Sequence, residues 1–478
     1  MCKHTIVKTL GAIACIALLY PACKIPVLTN REANNKTPDS YAGSQDSTNS
    51  GSVAWNTFFT DPHLRALIDT AIKNNQELNI TLQEIKITRN EIQARKGEYL
   101  PFVGVKAGAG IDKVGRYTSQ GAGDATTEIK PGKEMPEPLP DFLIGAYATW
   151  ELDVWHKLRN ATKASVNRYL ATVEGRNFVI TNLIAEIANS YYELLALDNQ
   201  LAIVKQNIAI QQNALEIVKA QKEAARATEL AVRKFEAEVL NTKSLQFGIQ
   251  QQITETENRI NFLLARFPQP IQRDAQAFNK DMLTPVHAGL PSQLLVNRPD
   301  IRQAELELTA SKLDVQVARA QFLPSIGLSA SLGYNAFSPG LLFKTPESLL
   351  YSLAGDLMAP LVNRNAIKAG YSNANAKQTQ AIYQYERTIL NAYIEVANQL
   401  SNIGNLEKSY ALKAQQVEAL TQSISISGDL FKSARADYME VLLTQRDALE
   451  SKFELLETQK QQMNAVVNIY RALGGGWK

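Results

Sequence analysis

The sequence predicts an α+β fold in which short strands and very long helices occur twice in the same order. Proline, the strongest helix breaker, is absent from residues 141–267 and again after Pro360. Four windows of about ten residues alternate small or polar side chains with apolar ones, as strands do. Segments of the first half recur in the second half, which indicates an internal duplication.

The composition excludes several classes of protein. The 478 residues are 45% hydrophobic and 20% charged, so the chain is not disordered. Lys and Arg number 50 against 47 Asp and Glu, which leaves too small a basic surplus for a nucleic-acid binder. No zinc-binding spacing, nucleophile elbow or phosphate loop occurs among the motifs of the sequence. We therefore expect neither an enzyme nor a bound cofactor or metal.

The N-terminus has the pattern of an exported lipoprotein. Two lysines precede an apolar run from Leu10 to Tyr20, so residues 1–22 are predicted to be a signal peptide. The following Pro21-Ala22-Cys23 is similar to a bacterial lipobox, which predicts that a lipid is attached to Cys23. Acylation at Cys15, or ordinary cleavage without acylation, are the alternatives. Residues 23–60 are then an acylated linker, and no other apolar run is long enough for a membrane helix.

The two repeats can be aligned at several motifs. Residues Glu98–Val105 match Gln321–Leu328, and Ala225-Arg226-Ala227 matches Ala434-Arg435-Ala436. Each repeat is predicted to contain a helix, two strands separated by a loop, and a long helical hairpin. The first repeat (61–280) has strands at about 102–113 and 142–154 and a hairpin tip near 225–229. The second repeat (281–473) has strands at about 325–335 and 348–361 and a tip near 434–437, and residues 474–478 form a tail.

A heptad series predicts a very long helix, from near residue 158 to 223. Apolar residues recur every seven positions at Ile187, Leu194, Leu201, Ile208 and Leu215. A second series, Leu197, Val204 and Val218, is interrupted by Gln211. The heptads favour a coiled-coil arrangement, and the remaining polar positions favour contact with water.

Four strands are too few for a membrane structure of a single chain. The smallest closed membrane barrels have eight strands, and an open sheet edge would leave amide groups unsatisfied in lipid. If the strands span a membrane, several chains must share one barrel.

The sequence resembles the TolC-like outer-membrane factors, the outer membrane efflux proteins, and in particular their OprM-like lipoprotein branch. The resemblance covers nearly the whole chain after the signal peptide. Its motifs are Arg298-Pro299-Asp300-Ile301, Phe322–Ile326, Trp150–Trp155 and Tyr470–Gly474. It implies a homotrimer whose four strands per chain form one twelve-stranded barrel in the outer membrane, continued by an α-helical barrel in the periplasm.

The resemblance also implies a function. The family provides the exit duct of tripartite efflux systems, together with a periplasmic adaptor and an inner-membrane pump, here of the resistance-nodulation-division type. The same channel could serve metal efflux or type I secretion, and the sequence names no substrate. A periplasmic coiled-coil lipoprotein without a pore is the alternative of a different class.

The resemblance places the candidate functional residues at the hairpin tips. Adaptor docking maps to Ala225, Arg226 and Ala227 and to Ala434, Arg435 and Ala436. Both tips have Ala where the family has Gly, and His156 replaces another family Gly, so we expect these turns to differ in detail. The periplasmic gate maps to Glu440, as a ring of like charges that binds cations, and to Leu443, as a hydrophobic constriction. A solvated helix position is the alternative for Glu440.

Overall fold

The structure is a computed structural model that describes residues 25–28, 31–41, 46–275, 278, 286–362, 364–433 and 435–478. Cys23, Ala434 and the whole predicted signal peptide lie outside the described residues. The chain forms two compact units, and each contains parts of both repeats. The first unit comprises the described residues up to Glu32 with 86–170 and 306–382, and the second comprises 33–85, 171–305 and 383–478.

Helices make up most of the fold, in agreement with the predicted fold class. The longest two, α5 and α9, have 67 and 68 residues. Within the described ranges, no helix combines the length and the apolar composition needed to cross a membrane. The helices are α1 (Trp55–Phe58), α2 (Pro62–Asn74), α3 (Gln76–Tyr99), α4 (Ser119–Asp124), α5 (Lys157–Glu223), α6 (Glu229–Leu263), α7 (Leu294–Asn297), α8 (Pro299–Ala320), α9 (Asn365–Lys432) and α10 (Tyr438–Ala472).

The strands form one four-stranded antiparallel sheet and one small hairpin. The sheet has the order β1-β4-β5-β6, so β1 and β6 are its two open edges. The hairpin β2–β3 lies with α4 in the connection from β1 to β4, which the sequence predicted only as a loop. The strands are β1 (Phe102–Asp112), β2 (Glu128–Lys130), β3 (Lys133–Glu134), β4 (Leu139–Leu152), β5 (Ser325–Ala336) and β6 (Leu349–Met358).

The duplication is visible in the helix boundaries. Helices α5 and α9 end at Glu223 and Lys432, and α6 and α10 begin at Glu229 and Tyr438, always 209 positions apart. The helices of each pair therefore reverse direction through connections of equal length. The two hairpins thus have the same local architecture despite their different sequences.

The main core lies in the second unit, where α2, α5, α6 and α10 contribute fully buried side chains that include Leu64, Leu194, Ile260 and Val467. Removing this much apolar surface from water is the main stabilising contribution, at about 25 cal/mol per Å². Towards the hairpin ends, two smaller clusters continue the packing. The tip cluster contains Leu215, Val218, Ala231, Val232, Phe235, Val239 and Val441, and the mid-hairpin cluster contains Leu197, Val204, Ile208 and Ile249.

The Arg298 motif forms an ion-pair cluster around a buried guanidinium. The guanidinium of Arg298 donates to both carboxylate oxygens of Asp300 at 3.0 and 2.7 Å and to Glu395 Oε2 at 2.8 Å. It also donates to the carbonyl oxygen of Ala472 at 2.7 Å, while Arg471 donates to Glu395 Oε1 at 2.7 Å. Burial disfavours the charged guanidinium, but the hydrogen bonds and charges of Asp300 and Glu395 outweigh it and raise the pKa of Arg298. The motif therefore joins the start of α8 to α9 and to the end of α10.

Candidate functional site: the sheet faces and the hairpin ends

The register of the four-stranded sheet gives it two chemically different faces. Residues directly opposite each other on neighbouring strands project to the same side, and successive residues alternate. On the apolar face no side chain is charged. This face consists of Val103, Val105, Ala107, Ala109 and Ile111 on β1; Pro140, Phe142, Ile144, Ala146, Ala148, Trp150 and Leu152 on β4; Ile326, Leu328, Ala330, Leu332, Tyr334 and Ala336 on β5; and Leu349, Tyr351, Leu353, Gly355 and Leu357 on β6.

The apolar face is open to the solvent in the isolated chain. Leu353 is 82% exposed, Val105 79% and Leu357 70%. Contiguous exposed apolar surface of this kind marks contact with a membrane or another protein. The face therefore requires a nonaqueous partner.

The opposite face, called the polar face, is made of small and polar residues with a few large ones. A serine–glycine series runs along β5 as Ser325, Gly327, Ser329, Ser331 and Gly333, followed by Asn335. Its charged residues are Lys106, Asp112, Asp141, Glu151 and Asp356. Such a face is suited to water.

Two tryptophan indoles hold the end of the sheet that adjoins the long helices, here called the helix end. The Nε1–H of Trp150 donates to the carbonyl oxygen of Tyr99 at 3.0 Å, and that of Trp155 donates to the carbonyl oxygen of Pro324 at 2.6 Å. Each bond ties the end of β4 to the residues that precede another strand.

Beyond Trp155, His156 has a φ of 60° and α5 begins at the next residue. His156 thus adopts the left-handed conformation that glycine accommodates with least strain.

The first hairpin tip ends α5 with a left-handed residue. Ala225 has a φ of 58°, its N–H donates to the carbonyl of Lys222 at 2.9 Å, and the N–H of Arg226 donates to the carbonyl of Gln221 at 2.7 Å. These are the two bonds of a Schellman motif, which normally uses glycine. Alanine thus occupies the left-handed position of this turn, and the two hydrogen bonds retain that geometry.

The chain re-enters a helix after a side-chain cap. Thr228 accepts a hydrogen bond from the N–H of Ala231 at 3.2 Å and begins α6. In the first turn, Glu229 pairs with Lys222 across the tip and with Arg233 within α6. The hydrogen bond from Lys222 is the main reason that the pKa of Glu229 is lowered. Arg226 is exposed beside this network.

The second tip repeats the same elements. The N–H of Arg435 donates to the carbonyl of Leu430 at 2.8 Å, as Arg226 does to Gln221 in the first tip. Asp437 occupies the cap position that Thr228 has in the first tip and accepts from the N–H of Met439 at 3.5 Å. Arg435 is exposed and Ala436 is partly exposed.

The predicted gate residues lie in the first turns of α10. Glu440 is exposed and Leu443 is 41% exposed, whereas Val441 between them is 4% exposed and belongs to the tip cluster. Buried Val441 fixes the orientation of this turn, so Glu440 and Leu443 project away from the chain's own core. The first repeat differs here, because Ala231 at the position equivalent to Glu440 is 1% exposed.

A sequence profile of the family described as outer membrane efflux protein matches residues 67–266 and 290–475. The two matched segments correspond to the two halves of the duplicated chain. The chain belongs to the outer membrane efflux protein family.

Individual relatives of this family align over most of the chain. The pyoverdine export outer membrane protein OpmQ of Pseudomonas aeruginosa is 28% identical over 424 residues, covering 89% of this chain and 87% of the relative. The cation efflux system protein CusC of Escherichia coli O6:H1 is 27% identical over 471 residues, covering 97% and 98%. The toluene efflux pump outer membrane protein TtgI of Pseudomonas putida is 27% identical over 421 residues, covering 88% and 87%.

Solved structures of the family have the same fold. The open state of the MtrE outer membrane channel of Neisseria gonorrhoeae superimposes with a TM-score of 0.82 at 23% identity, covering 95% of this chain and 99% of that one. The structure of CusC gives 0.81 at 23% identity, covering 94% and 99%. Both the strands and the long helices are therefore those of this family.

Members of the family are outer-membrane channels rather than enzymes, they extend into the periplasm, and they need no cofactor. Among the described residues, no three His, Cys, Asp or Glu side chains are grouped so that they could hold a metal ion. The two faces of the sheet were not among the sites predicted from the sequence, because they emerge only from the strand register.

Proposed function

We propose that this chain is one subunit of a homotrimeric outer-membrane channel, the exit duct of a tripartite efflux system. The observation that carries the proposal is the uncharged apolar face of a sheet with two open edges. An open edge is not tolerated in lipid, so β1 and β6 must pair with other copies. Three copies supply twelve strands, with the apolar face towards lipid and the polar face towards a water-filled lumen.

Solutes would pass through the duct passively, with energy supplied by an inner-membrane pump of the resistance-nodulation-division type and a periplasmic adaptor. The relatives are named for pyoverdine export, toluene efflux and cation efflux, so one architecture carries chemically different cargo. A small-solute or drug cargo is our first assignment, and the close alignment with CusC supports metal efflux as the second.

Native mass spectrometry of the protein extracted from outer membranes in mild detergent tests the assembly. We expect a mass of three acylated chains. A monomer released without detergent would contradict the shared barrel and would favour a periplasmic spacer.

We assign the lipid anchor to Cys23. Ile25 and Leu28 pack against a buried cluster that contains Phe322 and Tyr371, and β5 begins three residues after Phe322. The described residues nearest to Cys23 in sequence therefore lie at the helix end of the sheet, beside the start of β5. That end is where a lipid in the inner leaflet would meet the barrel.

Metabolic labelling with palmitate tests the anchor. Cys23→Ser should abolish incorporation, whereas Cys15→Ser at the alternative lipobox should leave it unchanged. Label that persists in Cys23→Ser would overturn the assignment.

We further propose that Glu440 and Leu443 form the periplasmic gate. Both project away from the chain's own core, and threefold symmetry would bring three copies of each together around the axis. Like charges so placed repel one another and attract cations. Glu440→Lys should therefore change the single-channel conductance and abolish block by divalent cations, while exposed Glu223→Lys, outside the first turns of α10, should change neither. Unaltered conductance and block in Glu440→Lys would refute the gate.

Adaptor docking is proposed at the two tips, at Ala225–Ala227 and at Ala434–Ala436. Both tips present an exposed arginine after a long helix, and in both the N–H of this arginine donates to the carbonyl five residues earlier. Cysteine placed at Arg226 or Arg435 should crosslink to the adaptor in cells. Cysteine at exposed Gln212, which lies in α5 away from the tip, should not. Crosslinking at Gln212 alone would contradict docking at the tips.

A further inference from the structure

One cation stands alone in the middle of the polar face. Lys106 on β1 is opposite Gly145 on β4, which is opposite Gly333 on β5, which is opposite Leu350 on β6. The ammonium group makes no hydrogen bond or ion pair with any described residue, and Lys106 is exposed. Its row contains the glycines of β4 and β5, so no side chain beside it on these two strands crowds the lysine.

The other charges of the polar face are distant. Glu151 and Asp356 lie in one row, six positions from the Lys106 row along the strands, whereas Asp141 and Asp112 lie four and six positions away in the other direction. At about 3.4 Å per residue these separations are about 20 Å and 14 Å. Both exceed the screening length of about 8 Å at physiological salt. The acidic rows therefore do not neutralise Lys106.

We propose that Lys106 and its two symmetry copies form a cationic ring midway along the lumen, which concentrates anionic solutes and repels cations. The inference rests on the proposed trimeric channel. Twelve strands spaced about 4.8 Å apart and tilted by about 40° enclose a backbone cylinder about 24 Å wide. A lysine side chain reaches roughly 6 Å inward, so the axis lies within one screening length of all three ammonium groups.

The proposed cationic ring affects which solutes can pass through the barrel. A metal cation would have to cross a zone of positive potential halfway through the barrel, whereas an anionic solute would be attracted to it. The polar face thus favours anionic small solutes over metal cations. Lys106 is in this sense a specificity-determining residue and does not hold a solute in a fixed pose.

Cysteine modification at a neighbouring position measures the potential directly. Gly108 lies two positions from Lys106 on the polar face, and a Cβ built there meets no atom within 4 Å, so Gly108→Cys should be tolerated. Two methanethiosulfonate reagents, one bearing a sulfonate and one bearing a trimethylammonium group, are added outside the cell. The rates at which they modify the thiol of Gly108→Cys are compared. The only native cysteines are Cys2, Cys15 and Cys23, so the unsubstituted chain is the background control.

With Lys106 present, the anionic reagent should be favoured. Lys106→Gln should lower the ratio of anionic to cationic rates about threefold at 0.15 M salt, as screened Coulomb interactions at these distances give. Lys106→Glu should lower it further, and 1 M salt should remove the difference. Lys113→Gln, just beyond β1 and exposed, is the matched control and should leave the ratio unchanged.

The outcomes separate this inference from the proposed function. Ala109→Cys, on the apolar face of the same strand, should react with neither reagent. Rapid reaction at both positions would contradict the lipid and lumen faces, and with them the channel. Reaction at Gly108→Cys alone, with a ratio unchanged by Lys106→Gln, would leave the channel intact and overturn the cationic ring, because the ammonium group would then be neutralised across the subunit edge.

Discussion

Gln211 is buried in the hairpin without a hydrogen-bond partner among the described residues, and replacing it should stabilise the protein. Its side chain is 0% exposed, and neither its Nε2 nor its Oε1 has a partner among the described residues. It lies on α5 between Ile208 of the mid-hairpin cluster and Leu215 of the tip cluster. Gln211→Leu keeps a similar size, removes two unsatisfied polar atoms and joins the two apolar clusters.

The magnitude follows from the cost of unsatisfied buried groups. Each costs about 1–3 kcal/mol, and part of that cost is offset by local relaxation. We therefore expect Gln211→Leu to raise the free energy of unfolding by about 1–3 kcal/mol. The assay is thermal and guanidinium unfolding of the purified trimer in detergent, with the transition followed by circular dichroism.

Neighbouring substitutions calibrate the result. Gln212→Leu, at the exposed adjacent position, should change stability by less than about 0.5 kcal/mol. Gln211→Glu places a charge in the same site and should be strongly destabilising. A lower unfolding midpoint for Gln211→Leu would refute the reasoning, since it would mean that the amide is hydrogen-bonded in the assembled protein.

Three further predictions concern other parts of the fold. Arg298→Ala should destabilise the protein by about 3–5 kcal/mol in the same unfolding assay, because it leaves Asp300 without its ion-pair partner and removes one of the two arginines that pair with Glu395. Ala225→Gly should stabilise it by about 1 kcal/mol by relieving left-handed strain, whereas Ala220→Gly inside α5 should cost a similar amount. Burial raises the pKa of Asp153, but the N–H groups of Arg159 and Leu158 outweigh this effect and hold it below its usual value. The Asp153 contribution is therefore present above about pH 4 and lost as pH falls through the folded pKa, and Asp153→Asn should flatten that part of the stability profile.

The parts of the fold that repeat, or that depend on a local residue pattern, could be predicted from the sequence. Missing prolines predict α5 and α9, heptads support α5, and alternation predicts the four strands, because these signals depend on residues close together in sequence. The duplication adds the equal connections at the hairpin ends. These signals require no knowledge of which residues become neighbours in space.

Which residues share a surface, and therefore the charge and polarity of that surface, could be determined only from the structure. Alternation in β1 distinguishes two sides, but only the register with β4 assigns Lys106 to the face that carries Glu151 and Asp356. Likewise, Gln211 is visible in the sequence as a break in a heptad series, yet whether it pairs with another polar side chain depends on α6 and α10. The left-handed φ of Ala225 was missed because helix propensity favours alanine, whereas the two Schellman bonds determine the turn.

The two repeats show how one local fold can take two roles. Ala231 and Glu440 are equivalent by position, yet the first is buried in the tip cluster and the second is exposed. A carboxylate at 231 would carry a desolvation penalty with no partner, so only the second repeat can present acidic side chains here at little cost. Duplication thus provides the matching hairpins, while the gate depends on the difference in burial between them, and the proposed ring has three acidic residues per trimer instead of six.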